Sequence, residues 1–190
     1  MPIKNKKFQI ILGYIIVIGV ISLIVFSVIY LQTHFQNNWK GKYAEYIKEN
    51  ILYPVTKVLD GDTFIANVSG YEITIRLIGI DTPEIVDPRK PVQCYGEEAS
   101  KKAKEILENK SVYLEKDIEK EKTSKSYDIY GRVLAYARLG DGTSYNQYMI
   151  ENGYAREYTF NKEKYKYQKE FKEIEKEAKA NKIGLWGKCN

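Results

Sequence analysis

The sequence predicts an α+β domain of five short strands and about three helices, preceded by one apolar N-terminal helix. Three observations lead to this fold class. Runs rich in β-branched and aromatic residues, bounded by Gly, Asp and Asn, indicate strands over 52–59, 63–69, 71–79, 111–116 and 131–139. Three further segments repeat apolar residues at helical spacing. A long stretch without charged residues comes before all of them.

The N-terminal stretch, residues 8–31, contains no charged residue and follows three lysines. At about 1.5 Å per residue it is long enough to cross a hydrocarbon core of about 30 Å, and it is longer than the core of a signal peptide, which has roughly 7 to 15 residues. No small-residue cleavage site follows it. We therefore predict an uncleaved signal anchor, with a cleaved signal peptide as the alternative.

The lysines before this stretch also predict its orientation. The positive-inside rule places the N-terminus in the cytoplasm and the rest of the chain outside the cell, as a single-pass protein of the cell membrane. The predicted parts are a cytoplasmic end with a transmembrane anchor (1–31), a membrane-proximal connector (32–50) and one domain (51–190), which is long enough to bury a core. No feature indicates a protein partner, so a monomer is expected.

The three helical segments cover residues 95–110, 144–152 and 163–181. The first repeats Ala99, Ala103 and Leu107 on one face. The second ends at Gly153, which is typical of a helix C-terminus. The third covers its polar face with Lys and Glu, which indicates a solvated, self-paired surface rather than a binding site.

Charged residues gather where two of the strands end. Arg76, Asp81 and Glu84 flank a buried strand, where charges of both signs are costly unless something uses them. A divalent cation facing a phosphate would use all three. Upstream, Asp60 and Gly61 form the commonest hairpin turn, but the second acid of that motif begins the next strand, where Asp is disfavoured.

A second arginine, Arg132, follows a Tyr-Gly turn at the start of the last predicted strand. Only five of the thirty basic residues are Arg. With Arg76 it makes two guanidiniums, which suit a planar, bidentate grip on phosphate oxygens better than lysine does.

Several short motifs follow one another along the chain. They are Asp60-Gly61-Asp62-Thr63, Arg76-Leu77, Ile80-Asp81-Thr82-Pro83-Glu84, Tyr95-Gly96-Glu97-Glu98-Ala99, Tyr130-Gly131-Arg132 with Leu134-Ala135-Tyr136, and Asn152-Gly153-Tyr154-Ala155-Arg156. In this order and with these spacings they resemble the staphylococcal nuclease (thermonuclease) family. The resemblance covers about residues 51–187.

The resemblance implies a fold and an activity. The fold is a five-stranded OB-fold β-barrel with helices packed on it, and the activity is calcium-dependent hydrolysis of DNA and RNA to 3'-phosphorylated products. The implied calcium ligands are Asp62, Asp81 and the backbone carbonyl of Thr82. Glu84 matches the general base, and Arg76 and Arg132 match the two arginines that bind phosphate.

The resemblance also implies a set of residues around this centre. Asp60 matches a carboxylate beside the metal ligands. Lys90 matches a basic loop position, and Tyr130 matches a tyrosine that lies against the bound nucleotide. Two departures are visible: Ile129 stands where the family often has a lysine, and Thr159 and Asn161 stand where it tends to have two tyrosines. Tyr158 and Phe160 could replace the latter by a shift of one residue.

Composition limits the possible functions. Residues 32–190 contain 27 basic and 25 acidic residues, so bulk charge does not indicate nucleic-acid binding and a basic groove would have to be local. His34, the only histidine, lies beside the apolar stretch, away from the charged motifs. Cys94 and Cys189 are either a disulfide formed in an oxidising compartment or two free thiols, and the sequence leaves both open.

Three functional hypotheses follow. The first is a membrane-anchored calcium nuclease facing outward, acting on DNA or RNA. The second is a non-catalytic OB-fold that binds nucleic acid through stacking and a charged groove, and the third is an envelope scaffold that reuses the fold. The complete set of predicted catalytic residues favours the first.

Overall fold

The computed structural model describes residues 4–40, 42–85, 91–117 and 126–189. The chain divides into two compact units, residues 1–40 and residues 41–190. Each is described by itself.

The first unit is a single helix, α1 (Lys4–Lys40). Within it, the 22 residues Ile10–Leu31 have a mean hydropathy of 2.8 and none of their side chains is buried. Because this part of the helix is apolar on all sides, no polar face indicates a soluble surface helix. By length and composition it is able to cross a membrane, as the sequence predicts.

The second unit is built on a closed barrel of five strands, which confirms the predicted five-stranded β-barrel. The strands are β1 (Leu52–Asp60), β2 (Thr63–Val68), β3 (Tyr71–Leu77), β5 (Ser111–Glu115) and β6 (Val133–Leu139). Their order around the barrel is β1-β2-β3-β6-β5. All neighbours pair antiparallel except β3 and β6, and the pairing of β1 with β5 closes the barrel.

Two very short strands form a separate sheet, β4 (Ile80–Asp81) and β7 (Arg156–Glu157). The sequence analysis did not predict this pair. It places Asp81 opposite Arg156 and fixes the segment that follows β3.

The three predicted helices are present in the described ranges as α2 (Gly96–Leu107), α3 (Tyr145–Glu151) and α4 (Gln168–Ala180). A short fourth helix of this unit, α5 (Leu185–Lys188), was not predicted. Short 3₁₀ turns lie at Lys42–Tyr46 and Phe160–Lys162. The helices bury their apolar faces against the barrel and against each other.

The core combines side chains from the barrel and the helices. Its largest fully buried side chains include Phe64, Ile75, Leu114, Tyr145 and Phe171. Ala44 and Ile47 belong to the same cluster. The part of the predicted connector from Ala44 onward therefore packs with the barrel.

Two glycine turns set the strand ends near the charged motifs. β3 ends at Leu77, two residues before its predicted end, because Gly79 turns the chain with φ +78°. β6 begins at Val133, two residues after its predicted start, because Gly131 has φ +80°. Both values lie in the left-handed region that glycine adopts without strain.

The two cysteines are joined. Cys94, just before α2, and Cys189, just after α5, form a disulfide with a Cα–Cα distance of 5.9 Å. Of the two alternatives that the sequence left open, the structure contains the disulfide.

Candidate active site

One cleft collects most of the charged residues that the sequence singled out. It has a volume of about 430 Å³ and lies where the β1–β2 turn, the chain around β4 and the start of β6 meet. The described residues that line it are Leu59, Asp60, Asp62, Thr63, Arg76, Asp81, Thr82, Glu84, Gln93 and Arg132. Seven of the predicted site residues are therefore brought together from three separate segments.

Asp62 is the most enclosed carboxylate of the cleft, with only 6% of its surface exposed. One carboxylate oxygen accepts from the Thr63 hydroxyl at 2.8 Å. The other accepts from the backbone N–H and the hydroxyl of Thr82 at 2.9 and 3.1 Å. These bonds connect β2 to the segment after β4 and hold the carboxylate in one orientation, as a buried charge requires.

The turn before Asp62 has no room for a larger residue. A Cβ built on Gly61 would lie 2.5 Å from the Thr82 methyl group. The glycine of this motif therefore lets the β1–β2 turn approach the segment that carries Thr82.

Arg76 lies between two carboxylates that were predicted to bind metal. Its guanidinium nitrogens lie 2.8 Å from Asp62 Oδ2 and 2.7 Å from Asp81 Oδ1. It also donates to the Ile80 carbonyl at 3.0 Å. A single cationic group thus contacts both carboxylates, so their oxygens are within reach of one cation.

Asp60 lines the same cleft as these charged groups. Partial burial raises the pKa of Asp60 to about 7, and the negative charges of Asp62 and Glu84 add to the rise. The Gly61 N–H, which donates to Asp60 Oδ1 at 2.7 Å, and the more distant Arg76 oppose it. Burial is thus the main cause of the raised pKa of Asp60, and the neighbouring carboxylates add a smaller part.

Asp81 differs because 51% of its side-chain surface is exposed. The protein packed around it and the charge of Asp62 raise the pKa of Asp81 above its ordinary value, while Arg76 and Arg156 lower it. The direction is the same as for Asp60. Both groups hold their negative charge at a cost that an added cation would reduce.

Glu84 is half-buried and is paired with Gln93 through its backbone. The Glu84 N–H donates to Gln93 Oε1, and the Gln93 N–H donates to the Glu84 carbonyl, both at 3.0 Å. Sequence reasoning missed Gln93. Its only sequence signal was its place two residues before the Tyr-Gly motif that begins α2.

Arg132 reaches the cleft from the start of β6, and Asp128 orients it. Asp128 Oδ2 accepts from Arg132 Nε at 2.6 Å, and its other oxygen accepts from the Arg132 backbone N–H at 2.9 Å. A guanidinium carries two further NH₂ groups with which it can bind an anion.

The first turn of α3 supports two walls of the cleft. The buried Tyr145 hydroxyl donates to the Gly61 carbonyl at 2.8 Å. Burial and the nearby Asp62 and Asp60 raise the pKa of Tyr145 well above its ordinary value, so it stays a donor. The Asn146 amide donates to the Ile78 carbonyl at 2.9 Å and accepts from the Ala137 N–H at 3.0 Å. The sequence predicted this helix but not its bonds to the turns.

Two of the three predicted nucleotide contacts, Tyr130 and Tyr158, do not line the cleft. Among the described lining residues, neither Tyr130 nor Tyr158 occurs. Tyr130 is 72% exposed and its ring lies 5.3 Å from the Arg132 guanidinium carbon. Tyr158 is exposed, with its ring 6.4 Å from that of Phe160. Lys90 falls outside the described residues.

The donors of the cleft fit a calcium ion chemically. In the part of the chain that the structure describes, no three His, Cys, Asp or Glu side chains are gathered as a ready-made metal site. Calcium, however, takes hard oxygen ligands and completes its shell with water. Asp62 and Asp81 both contact the Arg76 guanidinium in the structure. Together with the neighbouring Thr82 carbonyl, these two carboxylates supply such a set of oxygens.

Comparisons with known proteins find similar chains. The family described as staphylococcal nuclease homologue matches residues 74–188. A thermonuclease of Staphylococcus hyicus is 41% identical over 134 residues, which cover 70% of this chain and 75% of that protein. A thermonuclease of Staphylococcus intermedius is 36% identical over 88% of this chain and 95% of its own length. The endonuclease YncB of Bacillus subtilis is 35% identical over 74% and 64%, respectively.

Proposed function

The chain belongs to the staphylococcal nuclease family, and we propose that it hydrolyses phosphodiester bonds of DNA or RNA in the cleft beside the β1–β2 turn. Its similarity to two thermonucleases and an endonuclease supports this activity. The observation that carries the proposal is the convergence of four carboxylates and two guanidiniums in one cleft. A phosphate-binding site without chemistry has no need of so many acids.

In this proposal Glu84 is the general base. It takes a proton from the attacking water, a role that requires a carboxylate within hydrogen-bond reach of the water. Glu84 lines the cleft and is half-buried, and Gln93 holds its backbone. These features support the assignment. Arg76 and Arg132 donate to phosphate oxygens, where negative charge grows as the bond to the leaving oxygen breaks.

Calcium is the proposed cofactor, with Asp62, Asp81 and the Thr82 carbonyl as ligands and Asp60 beside them. When bound, it would supply positive charge next to the phosphate. In the structure, Arg76 occupies the same carboxylate oxygens. A cation held by Asp62 and Asp81 would share these carboxylates with Arg76, whose guanidinium also lines the cleft and can donate to phosphate.

Substrate contacts outside the cleft belong to the same proposal. Tyr130 is exposed next to Arg132, so its ring is accessible to a nucleobase. Tyr158 offers a second exposed ring, and Lys90 is proposed as a further cation for the backbone of the substrate. We also propose that α1 anchors the chain in the cell membrane with the catalytic unit outside. The apolar Ile10–Leu31 segment supports the anchor, and the lysines that precede it support the orientation.

The test is cleavage by the full-length chain in detergent. We expect it to degrade single-stranded DNA or RNA in millimolar calcium and to stop when the calcium is chelated. Glu84→Gln removes the proposed base with little change in size and should lower kcat by about 10²- to 10⁴-fold. Glu108→Gln, which changes an exposed glutamate at the end of α2, is the matched control and should leave kcat unchanged.

Two results would contradict the proposal. Full activity of Glu84→Gln would eliminate this residue as the base. Binding of nucleic acid by the wild-type chain without cleavage in calcium would instead favour the non-catalytic alternative.

A further inference from the structure

The segment that precedes α2 holds the backbone of the proposed base. The Gln93 backbone N–H donates to the Glu84 carbonyl, and the Gln93 side-chain oxygen accepts from the Glu84 N–H. Pro83, just before Glu84, has no N–H of its own to add a bond. Gln93 therefore helps to fix the backbone from which the Glu84 carboxylate reaches the cleft.

Packing alone does little to fix Gln93. The four residues from Pro91 to Cys94 are all exposed. An exposed stretch with few buried contacts opens locally at low cost in free energy. Something other than burial has to hold it against the body of the protein.

Three contacts next to Gln93 do this. The Gly96 N–H donates to the Gln93 carbonyl at 3.0 Å. The Tyr95 ring stacks on Tyr154 with 5.7 Å between centroids. Directly beside Gln93, Cys94 is covalently bonded to Cys189, 95 residues later in the chain.

The far end of this disulfide is itself anchored. The Cys189 N–H donates to the Leu185 carbonyl, and the Leu185 N–H donates to the Gly153 carbonyl, both at 2.9 Å. α5 is thus bonded to the turn that follows α3, the helix whose first residues support the cleft. The disulfide therefore joins the segment that carries Gln93 to α5 and, through α5, to the turn after α3.

We propose that Gln93 is a positioning residue for Glu84 and that the Cys94–Cys189 disulfide keeps Gln93 in place. This proposal rests on the nuclease function proposed above. It predicts that loss of either one lowers the cleavage rate of bound substrate while substrate binding is retained, because the base is displaced and the phosphate-binding arginines are not.

The first test changes Gln93 in the full-length chain. Gln93→Ala should lower kcat about tenfold with KM changed less than twofold, and Gln93→Glu, which keeps the accepting oxygen, should recover most of the rate. Asn67→Ala is the matched control, because Asn67 Oδ1 accepts the Gly70 N–H at the same 3.0 Å, also in an exposed turn, but outside the cleft. It should leave kcat unchanged.

The second test removes the disulfide. Cys94→Ser with Cys189→Ser should lower kcat by a similar factor, and this loss should largely disappear when it is measured in the Gln93→Ala background, because the two changes act through one contact. Should the double serine variant fold poorly, the wild-type chain reduced with a phosphine and alkylated replaces it. If the rate losses of Gln93→Ala and of the double serine variant multiply when the changes are combined, the disulfide acts by another route. That result would overturn the half of the proposal that concerns the disulfide.

A readout independent of activity separates this proposal from the nuclease function. Hydrogen exchange of the peptide containing the Glu84 amide should speed up in Gln93→Ala and after loss of the disulfide, and not in Asn67→Ala. Unchanged exchange together with unchanged kcat would overturn the proposal while the nuclease function stands. If the wild-type chain cleaves nothing, the nuclease function fails, and the exchange data still decide whether Gln93 and the disulfide hold Glu84.

Discussion

Asp60 shows what the crowding of acids in the cleft costs the folded protein. Its pKa in the folded state is about 7, whereas an ordinary aspartate in an unfolded chain titrates near 3.9. The unfolded chain therefore loses this proton first as the pH rises. Between about pH 4 and pH 7 the folded state becomes progressively less stable on account of Asp60, and above pH 7 the whole cost is present.

Asp60→Asn should therefore stabilise the protein in the presence of a chelator at pH 8. Asparagine keeps an oxygen for the Gly61 N–H but carries no charge. After allowance for solvent screening, we expect a gain of about 1 kcal/mol at pH 8 that vanishes near pH 4. Thermal unfolding of both proteins at the two pH values measures it.

The control substitution, Asp141→Asn, should change the stability of the protein in the opposite direction. The Thr143 N–H donates to the exposed Asp141 carboxylate at 2.9 Å and lowers the pKa of Asp141. The ionised Asp141 therefore stabilises the folded protein above the ordinary pKa of an aspartate, and this stabilisation is lost as the pH falls. Asp141→Asn should destabilise the protein slightly at pH 8. An Asp60→Asn protein that is no more stable than the wild type at pH 8 would contradict the charge cost assigned to Asp60.

Single residues also show where sequence reasoning ends. Arg76, Asp81 and Glu84 stand in one short segment whose charges predict a common use, and the roles of Asp60, Asp62 and Arg132 are what the family resemblance implies. Tyr145 gives no such signal, because its hydroxyl bonds a carbonyl 84 residues away. Gln93 is missed for the same reason: its pairing with Glu84 is a product of the folded chain, not of a local pattern.

At the level of elements, the strands and longer helices could be predicted because each has enough residues to show its period. β4, β7 and α5 have only two to four residues, too few for any pattern. They exist because the barrel holds their neighbours. Strand ends were misjudged by two residues at Gly79 and Gly131, where a positive φ overrides the apolar run.

The junction between the α3–β7 turn and the start of α5 depends on two glycines. Gly153 and Gly184 both have positive φ, and a Cβ on Gly153 would lie 2.2 Å from the Ile183 carbonyl oxygen. Gly153→Ala should therefore destabilise the protein by about 3 kcal/mol, from backbone strain and a displaced α5. The shift in the urea unfolding midpoint measures it.

Gly140→Ala is the matched control, because a Cβ there would meet nothing within 4 Å. It should be neutral or slightly stabilising, since alanine narrows the unfolded ensemble. Equal stability of the two variants would show that the α5 junction tolerates a side chain and is not a tight backbone contact.

At the scale of the whole molecule, two independent features support the proposed outward orientation of the second unit. The lysines at the N-terminus favour the cytoplasm. The Cys94–Cys189 disulfide lies in the second unit, and disulfides persist in oxidising compartments outside the cytoplasm. The proposed calcium requirement adds a third consideration, because calcium is abundant outside the cell.

These features predict how the chain behaves in intact cells. Full-length protein with a tag at each end should stay with the membrane fraction under alkaline carbonate, because an apolar 22-residue segment holds it there. A protease added outside should remove the C-terminal tag and leave the N-terminal tag protected until lysis.

A maleimide should label Cys94 and Cys189 only after reduction. Replacing Lys4, Lys6 and Lys7 by Gln should increase the fraction with the opposite orientation, because the charge bias is removed. A C-terminal tag that stays protected in intact cells would contradict the outward orientation, and release of the whole chain by carbonate would contradict the anchor.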